Sequence, residues 1–199
     1  MIIQANKGEI LEEFLEKYVV DRWINEFLEI DEMYKSDKDA IEENLISTFD
    51  EVCRQAIGLQ EKQLKGGIKY IYFSLLRTSI LENRGEYRID LYDKNWFLDK
   101  EECSINIDLN FIFDSIFKHR EELKEKKKEY GKNITDMDIE NIMLKEIDKY
   151  HVLAVEFLKG MIERFTETSS YAEMKKTEDI MILAGEYMDA TEAIYPEKE

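Results

Sequence analysis

The chain has a single proline, Pro196, and eight glycines in 199 residues. So few breakers leave little material for long loops or a many-turned all-β fold, and helix is the first inference. Cysteine is equally scarce. Cys53 and Cys103 stand far apart in unlike contexts and provide neither a disulfide framework nor zinc-ligand spacing. Cys53 falls on the apolar side of an expected helix, as a small buried hydrophobe. No run approaches the ~20 apolar residues that cross a bilayer. The opening MIIQANKGEILEEF has no basic n-region and no long apolar core, so it does not read as a secretory signal.

Positive charge is also in short supply, with 28 bases against 45 acids and a net charge of −17. Such a chain is a poor generic binder of nucleic acid. It suits a prokaryote-like cytoplasmic protein, off the membrane, with an acidic surface that attracts basic partners. Reaction signatures are missing too. KGGIK is a lone Gly-Gly pair without phosphate-loop spacing, and neither GxSxG nor HExxH occurs. Nothing calls for a cofactor or a metal. The basic run 118–132 holds seven Lys/Arg and four acids and reads as a solvated helix end.

What is present is 44% hydrophobic and 12% aromatic content, enough for one globular domain spanning 1–199. Residues 1–65 carry −8, residues 66–133 are neutral and residues 134–199 carry −9, while the neutral middle holds 11 of the 23 aromatics. The spacing predicts an α+β fold, predominantly helical, with helices over about 8–34, 37–64, 106–130, 136–166 and 171–192. In the first, Ile10, Leu11, Phe14 and Leu15 share a side, but beyond Val20 the apolar positions rotate round the axis, which implies a bend or a second neighbour. The second begins after Ser36-Asp37 and has the clearest stripe, Ile41, Leu45, Phe49, Val52, Cys53 and Ala56. Gly131 closes the third and Thr135 caps the fourth. In the last, IMILAGEYMD is too short and too apolar for periodicity alone to exclude a strand.

Between the helices, about 69–99, the pattern changes to a two- or three-stranded antiparallel insert: 69–81 as a strand, ENRG as the turn, 86–92 as its partner, and WFLD as a third short strand. A helix over 68–82 is the alternative. A two- or four-residue loop would set Leu76, Thr78 and Ile80 with Tyr87, Ile89 and Leu91 on a core face. Phe73, Leu75, Arg77 and Ser79 would then share the other face with Arg88, Asp90 and Tyr92; a three-residue loop would mix apolar and charged residues on both. Arg77 would lie opposite or diagonal to Asp90, with Trp96 and Phe97 nearby.

Two features of the fourth helix bear on chemistry. Asp148 and His151 have the i, i+3 spacing of dimetal bundles. Advancing about 100° per residue from Ile139 puts them about 180° and 120° round, off the buried stripe, which argues against a metal site. Glu146 falls at about 340°, on the inward face, where a carboxylate needs a partner or a route to solvent. The expectation is a non-catalytic binding or regulatory protein. It would contact a protein partner through Arg77, Arg88, Asp90, Tyr92 and Trp96 or through its acidic helices, for example as an inhibitor or immunity-type protein for a basic partner. The alternative is an enzyme or small-molecule binder in which Arg77, Arg88 and Tyr92 hold an anionic ligand and Asp90 or Glu146 acts on it.

Overall fold

A computed structural model describes residues 7–196. They divide into two compact units, one formed by residues 7–36 with 111–152 and the other by 37–110 with 153–196. No described helix is long and apolar enough to cross a membrane.

The first unit is helical. α1 (Lys7–Tyr18) has Glu9 in its first turn and Lys17 in its last, as the helix dipole favours. The amides of Val19 and Val20 fold back onto the Leu15 carbonyl, and Asp21 turns into the left-handed region (φ 61°). The helix expected over 8–34 is therefore two helices, since an aspartate tolerates that conformation as a single residue. α2 (Arg22–Glu61) begins directly afterwards and leaves helical geometry once, at Asp37 (φ −115°, ψ 19°), where the second helix was expected to start. α4 (Asn110–Lys126) runs into a 3-10 turn, Lys127–Tyr130, closed by a left-handed Gly131. Thr135 caps α5 (Asp136–Thr166) reciprocally: its hydroxyl accepts from the Asp138 amide, and the Asp138 carboxylate accepts from the Thr135 amide. Phe14, Ile30, Ile112, Phe113, Ile116, Ile139 and Ile147 are buried.

The second unit holds the sheet. It is built from β1 (Ile68–Leu75), β2 (Glu86–Tyr92), β3 (Ser104–Asp108), β4 (Lys176–Glu186) and β5 (Thr191–Tyr195), with short helices α3 (Arg77–Leu81) and α6 (Ser169–Glu173) between strands. Five strands lie in the order β3-β2-β1-β4-β5, and the central β1/β4 pair is parallel while the others are antiparallel. The fold is thus α+β, but the expected two- or three-stranded antiparallel insert is overturned. Residues 176–195 supply two further strands where a helix over 171–192 was expected. Residues 182–185 of β4 are buried on both faces and read as an unbroken apolar run, so that stretch shows no alternation to distinguish it from a helix. The third strand is not WFLD, which forms a 3-10 turn (Trp96–Leu98), but Ser104–Asp108.

The register of the first pair differs as well. Phe73 faces Ile89 and Leu75 faces Tyr87. The connection is neither two nor four residues long, because α3 and its turn occupy 76–85. Ile71, Phe73 and Leu75 therefore join Tyr87, Ile89 and Leu91 on the buried face, and Tyr70, Tyr72 and Ser74 join Arg88, Asp90 and Tyr92 on the other. On the buried face Phe73 stacks with Phe49 of α2 (6.2 Å) and Phe165 of α5 (5.6 Å). Buried Gln60 joins strand starts: its Nε2 donates to the Gly66 and Lys175 carbonyls and its Oε1 accepts from the Lys175 amide.

Gly185 faces Thr191, the first residue of β5. A Cβ there would stand 2.2 Å from the Ala190 carbonyl oxygen and 2.8 Å from the Thr191 Cα. Gly185→Ala should cost at least about 2 kcal/mol in urea denaturation, the scale of overpacking against backbone. In a helix over 171–192 the same change would stabilise by roughly 1 kcal/mol, so the sign of the effect distinguishes the two structures.

Candidate functional site

On the sheet face away from Phe73, side chains two apart on one strand point the same way. Arg88 and Asp90 of β2 therefore pair along the strand: Arg88 Nε donates to both carboxylate oxygens (2.9 Å each) and Nη2 to Glu102 (2.8 Å). Tyr92 is the next residue on that face. Asp90 is 2% exposed. Burial pushes its carboxyl above the usual carboxylate range, against the opposing pull of Arg88. Hydrogen bonding to Asp90 in turn raises the Arg88 guanidinium further above its ordinary value. Burial raises the Tyr92 and Tyr72 hydroxyls as well.

Arg77 does not meet Asp90. Leaving the sheet at the start of α3, it forms a fork-to-fork pair with Glu186 (Nε–Oε2 2.6 Å, Nη2–Oε1 2.5 Å). The Glu186 carbonyl accepts from the Tyr72 hydroxyl, and the next residue, Tyr187, lies under the Arg88 guanidinium at 5.9 Å. Arg88, Asp90 and Tyr92 are thus brought together as expected, while Arg77 joins a neighbouring pair of its own.

Trp96 does enter this face. Its ring sits edge-on to Tyr70 (4.3 Å), stacked on Tyr72 (5.9 Å), and against Tyr92 (5.5 Å) and Phe97 (4.8 Å). It does so from a left-handed backbone (φ 56°). That conformation costs a bulky residue about 1–2 kcal/mol and persists only where its surroundings impose it. The imposing element is Asp99. One oxygen accepts from the Asp93 amide (2.9 Å) and from the Lys65 ammonium (2.6 Å), and the other from the Glu101 amide (3.2 Å). Lys65 donates again to the Glu101 carbonyl (2.6 Å). The Lys65 side chain is fully buried and that of Asp99 is 4% exposed. Burial alone would raise the Asp99 carboxyl, but the Lys65 ammonium and the two amides outweigh it and hold the group below its ordinary range. The loop so held presents Phe97 and, at 83% exposure, Leu98.

The sequence gives no signal for the Lys65–Asp99 pair. Its members lie 34 residues apart, and QEKQLKGG reads as a solvated helix end. Glu146, the expected inward carboxylate, is half-buried and takes the Lys149 ammonium at 2.6 Å. Asp148 is exposed, and His151 only half-buried. Among the described residues no cluster of three or more His, Cys, Asp or Glu could hold a metal ion.

The deeply buried carboxylate of the helical unit is Glu26, which sequence reasoning missed. It is 5% exposed and accepts from Arg22 Nε (2.7 Å) and from the Tyr150 hydroxyl. His119 Nδ1 stands 3.8 Å from it, and His119 Nε2 lies 3.0 Å from the Tyr18 carbonyl, which makes Nε2 the protonated nitrogen. Burial pushes Glu26 up. Burial, then the Arg22 charge, pushes His119 down to about 4.

Searched against protein families, curated proteins and solved structures, the chain matches none of them.

Two predictions follow from these buried groups. Asp99→Asn strands the Lys65 ammonium and should cost about 3–5 kcal/mol, whereas Lys65→Met/Asp99→Asn, which removes the stranded charge and keeps an amide oxygen for the loop amides, should restore most of that stability, as read by urea denaturation. His119 stays neutral when folded and takes a proton on unfolding, so its contribution is whole above pH 6.5 and declines towards pH 4. Glu26, raised in the fold, works in the opposite direction. His119→Gln, which keeps a donor for Tyr18, should gain about 2 kcal/mol on wild type between pH 7.5 and pH 5.

Proposed function

We propose that the chain is a non-catalytic protein-binding module. Its contact surface is the aromatic–arginine face of the sheet, and Phe97 and Leu98 enter an apolar pocket on a basic partner. The observation behind this reading is the loop itself: Leu98 is held out to water, beside a Phe97 that is partly exposed at the edge of the aromatic cluster, by a buried ion pair and a wedged tryptophan. A pre-ordered loop loses less conformational freedom on binding, and Trp, Tyr and Arg are the residue types that anchor interfaces. The partner's basic character is argued from the net charge of −17, which accelerates encounter with positive surfaces. An inhibitor or immunity-type role, in which such a partner is neutralised, fits these features. The reading in which Arg77 and Arg88 hold an anionic ligand has less support, because Glu186 engages one guanidinium and Asp90 with Glu102 the other.

The test is a photo-crosslinking amino acid at Leu98, with Val152, also exposed, as the control position. The expected outcome is a basic protein captured at 98 and not at 152. Phe97→Asp and Leu98→Asp should weaken its binding by at least about 2 kcal/mol, and its association rate should fall steeply with salt. Equal capture at both positions would overturn the contact face. A salt-independent on-rate would overturn the electrostatic part.

A further inference from the structure

The helical unit contains a cavity of about 410 Å3, lined by Leu11 and Leu15 of α1 and by Asp138, Asn141, Ile142, Leu144, Lys145 and Glu146 of α5. Its volume falls within the range of small-molecule sites, which are largely apolar with a few placed polar groups. Four leucine and isoleucine side chains supply the apolar wall, and Ile142 is buried.

The polar lining decides which ligand it suits. Asp138 already takes the Lys7 ammonium (3.1 Å) and the Thr135 amide and hydroxyl. Glu146 already takes Lys149. Both carboxylates are therefore neutralised by their own ammonium groups, and a cationic ligand would have to displace one. Lys145 has no hydrogen-bond or ion-pair partner among the described residues, and neither has the side chain of Asn141. The two stand one helical turn apart, at i and i+4, on the same face of α5. One carboxylate can accept from both. The chain's net charge opposes an anion at long range, but at physiological salt charges beyond about 8–10 Å are largely screened, so the nearby Lys145 governs.

We propose that this cavity binds a small amphiphilic anion, an apolar chain ending in a carboxylate, with the chain against Leu11, Leu15 and Ile142 and the carboxylate on Lys145 and Asn141. This inference is independent of the protein-binding reading, since it uses none of the residues on the sheet face.

The test is methyl NMR of the full chain titrated with octanoate, 1-octanol and octylamine, and with N-acetyl-leucine to distinguish a free aliphatic acid from a peptide C-terminus. Octanoate, N-acetyl-leucine or both should shift the methyls of Leu11, Leu15, Ile142 and Leu144, and the tighter of the two names the source. The better acid should bind about fivefold more tightly than octanol, the scale of one partly exposed ion pair. Octylamine should bind more weakly than the better acid. Lys145→Met, or Lys145→Gln if the first variant misfolds, should reduce the acid to the octanol level and leave octanol unchanged. The proposal is overturned if neither acid shifts these methyls at millimolar concentration, or if the shifts gather at the exposed Leu98 instead. Equal binding of octanol and acid to the wild type would overturn it too, as would an acid preference that survives the loss of Lys145.

Discussion

An ammonium with no exposed surface, on Lys65, faces a carboxylate that also receives two backbone amides. Neither ion is stable in such a place alone, because taking a charge out of water costs several kcal/mol unless a partner and hydrogen bonds compensate. Once paired, they fix the ends of the loop from Asp93 to Glu101, and a loop fixed at both ends has few backbone states left. Trp96 then has to take its left-handed turn to place its ring among Tyr70, Tyr72 and Tyr92. Leu98 is left pointing outward, with Phe97 at the edge of the cluster against Tyr92 and Trp96. The apolar tip is exposed because the tryptophan beside it is packed.

The sheet supports this arrangement from beneath. β1 lies at its centre, and its two faces differ. Phe73 stacks against a pair of phenylalanines from two helices, whereas Tyr70 and Tyr72 pack against Trp96. The charges on the second face are satisfied within it. Arg88 lies against its own strand neighbour Asp90, and Arg77 reaches the end of β4 at Glu186. Such pairs contribute more to geometry than to net stability, since one partner of each is partly exposed. The end of β4 also takes the Tyr72 hydroxyl, at the Glu186 carbonyl.

How far the sequence discloses this varies from element to element. The stripe from Leu45 to Ala56 repeats at helical spacing over three turns, and the helix lies where it predicts. Thr135 and Gly131 mark helix ends through local chemistry and are equally plain. Tyr87, Ile89 and Leu91 alternate with charges, so the faces of β2 can be read directly. β1 is different: Tyr72, Phe73 and Ser74 are all buried, and without alternation neither its faces nor its end at Leu75 can be deduced. β4 conceals itself in the same way, and its parallel partner lies about a hundred residues upstream, beyond any local pattern. Lys65 and Asp99, and likewise Glu26 and His119, look like ordinary surface residues until tertiary structure encloses them.

The claim that a buried ion pair locks the Trp96 loop is tested most directly by amide hydrogen exchange at Asp93 and Glu101, the two donors to Asp99. The structure predicts protection at both that approaches the global unfolding free energy, because the loop opens only when Lys65 and Asp99 are separated. Exchange at the rate of an exposed, unstructured loop, in a protein whose β1 amides remain protected, would show that the clamp does not hold and that the presented face is not pre-formed.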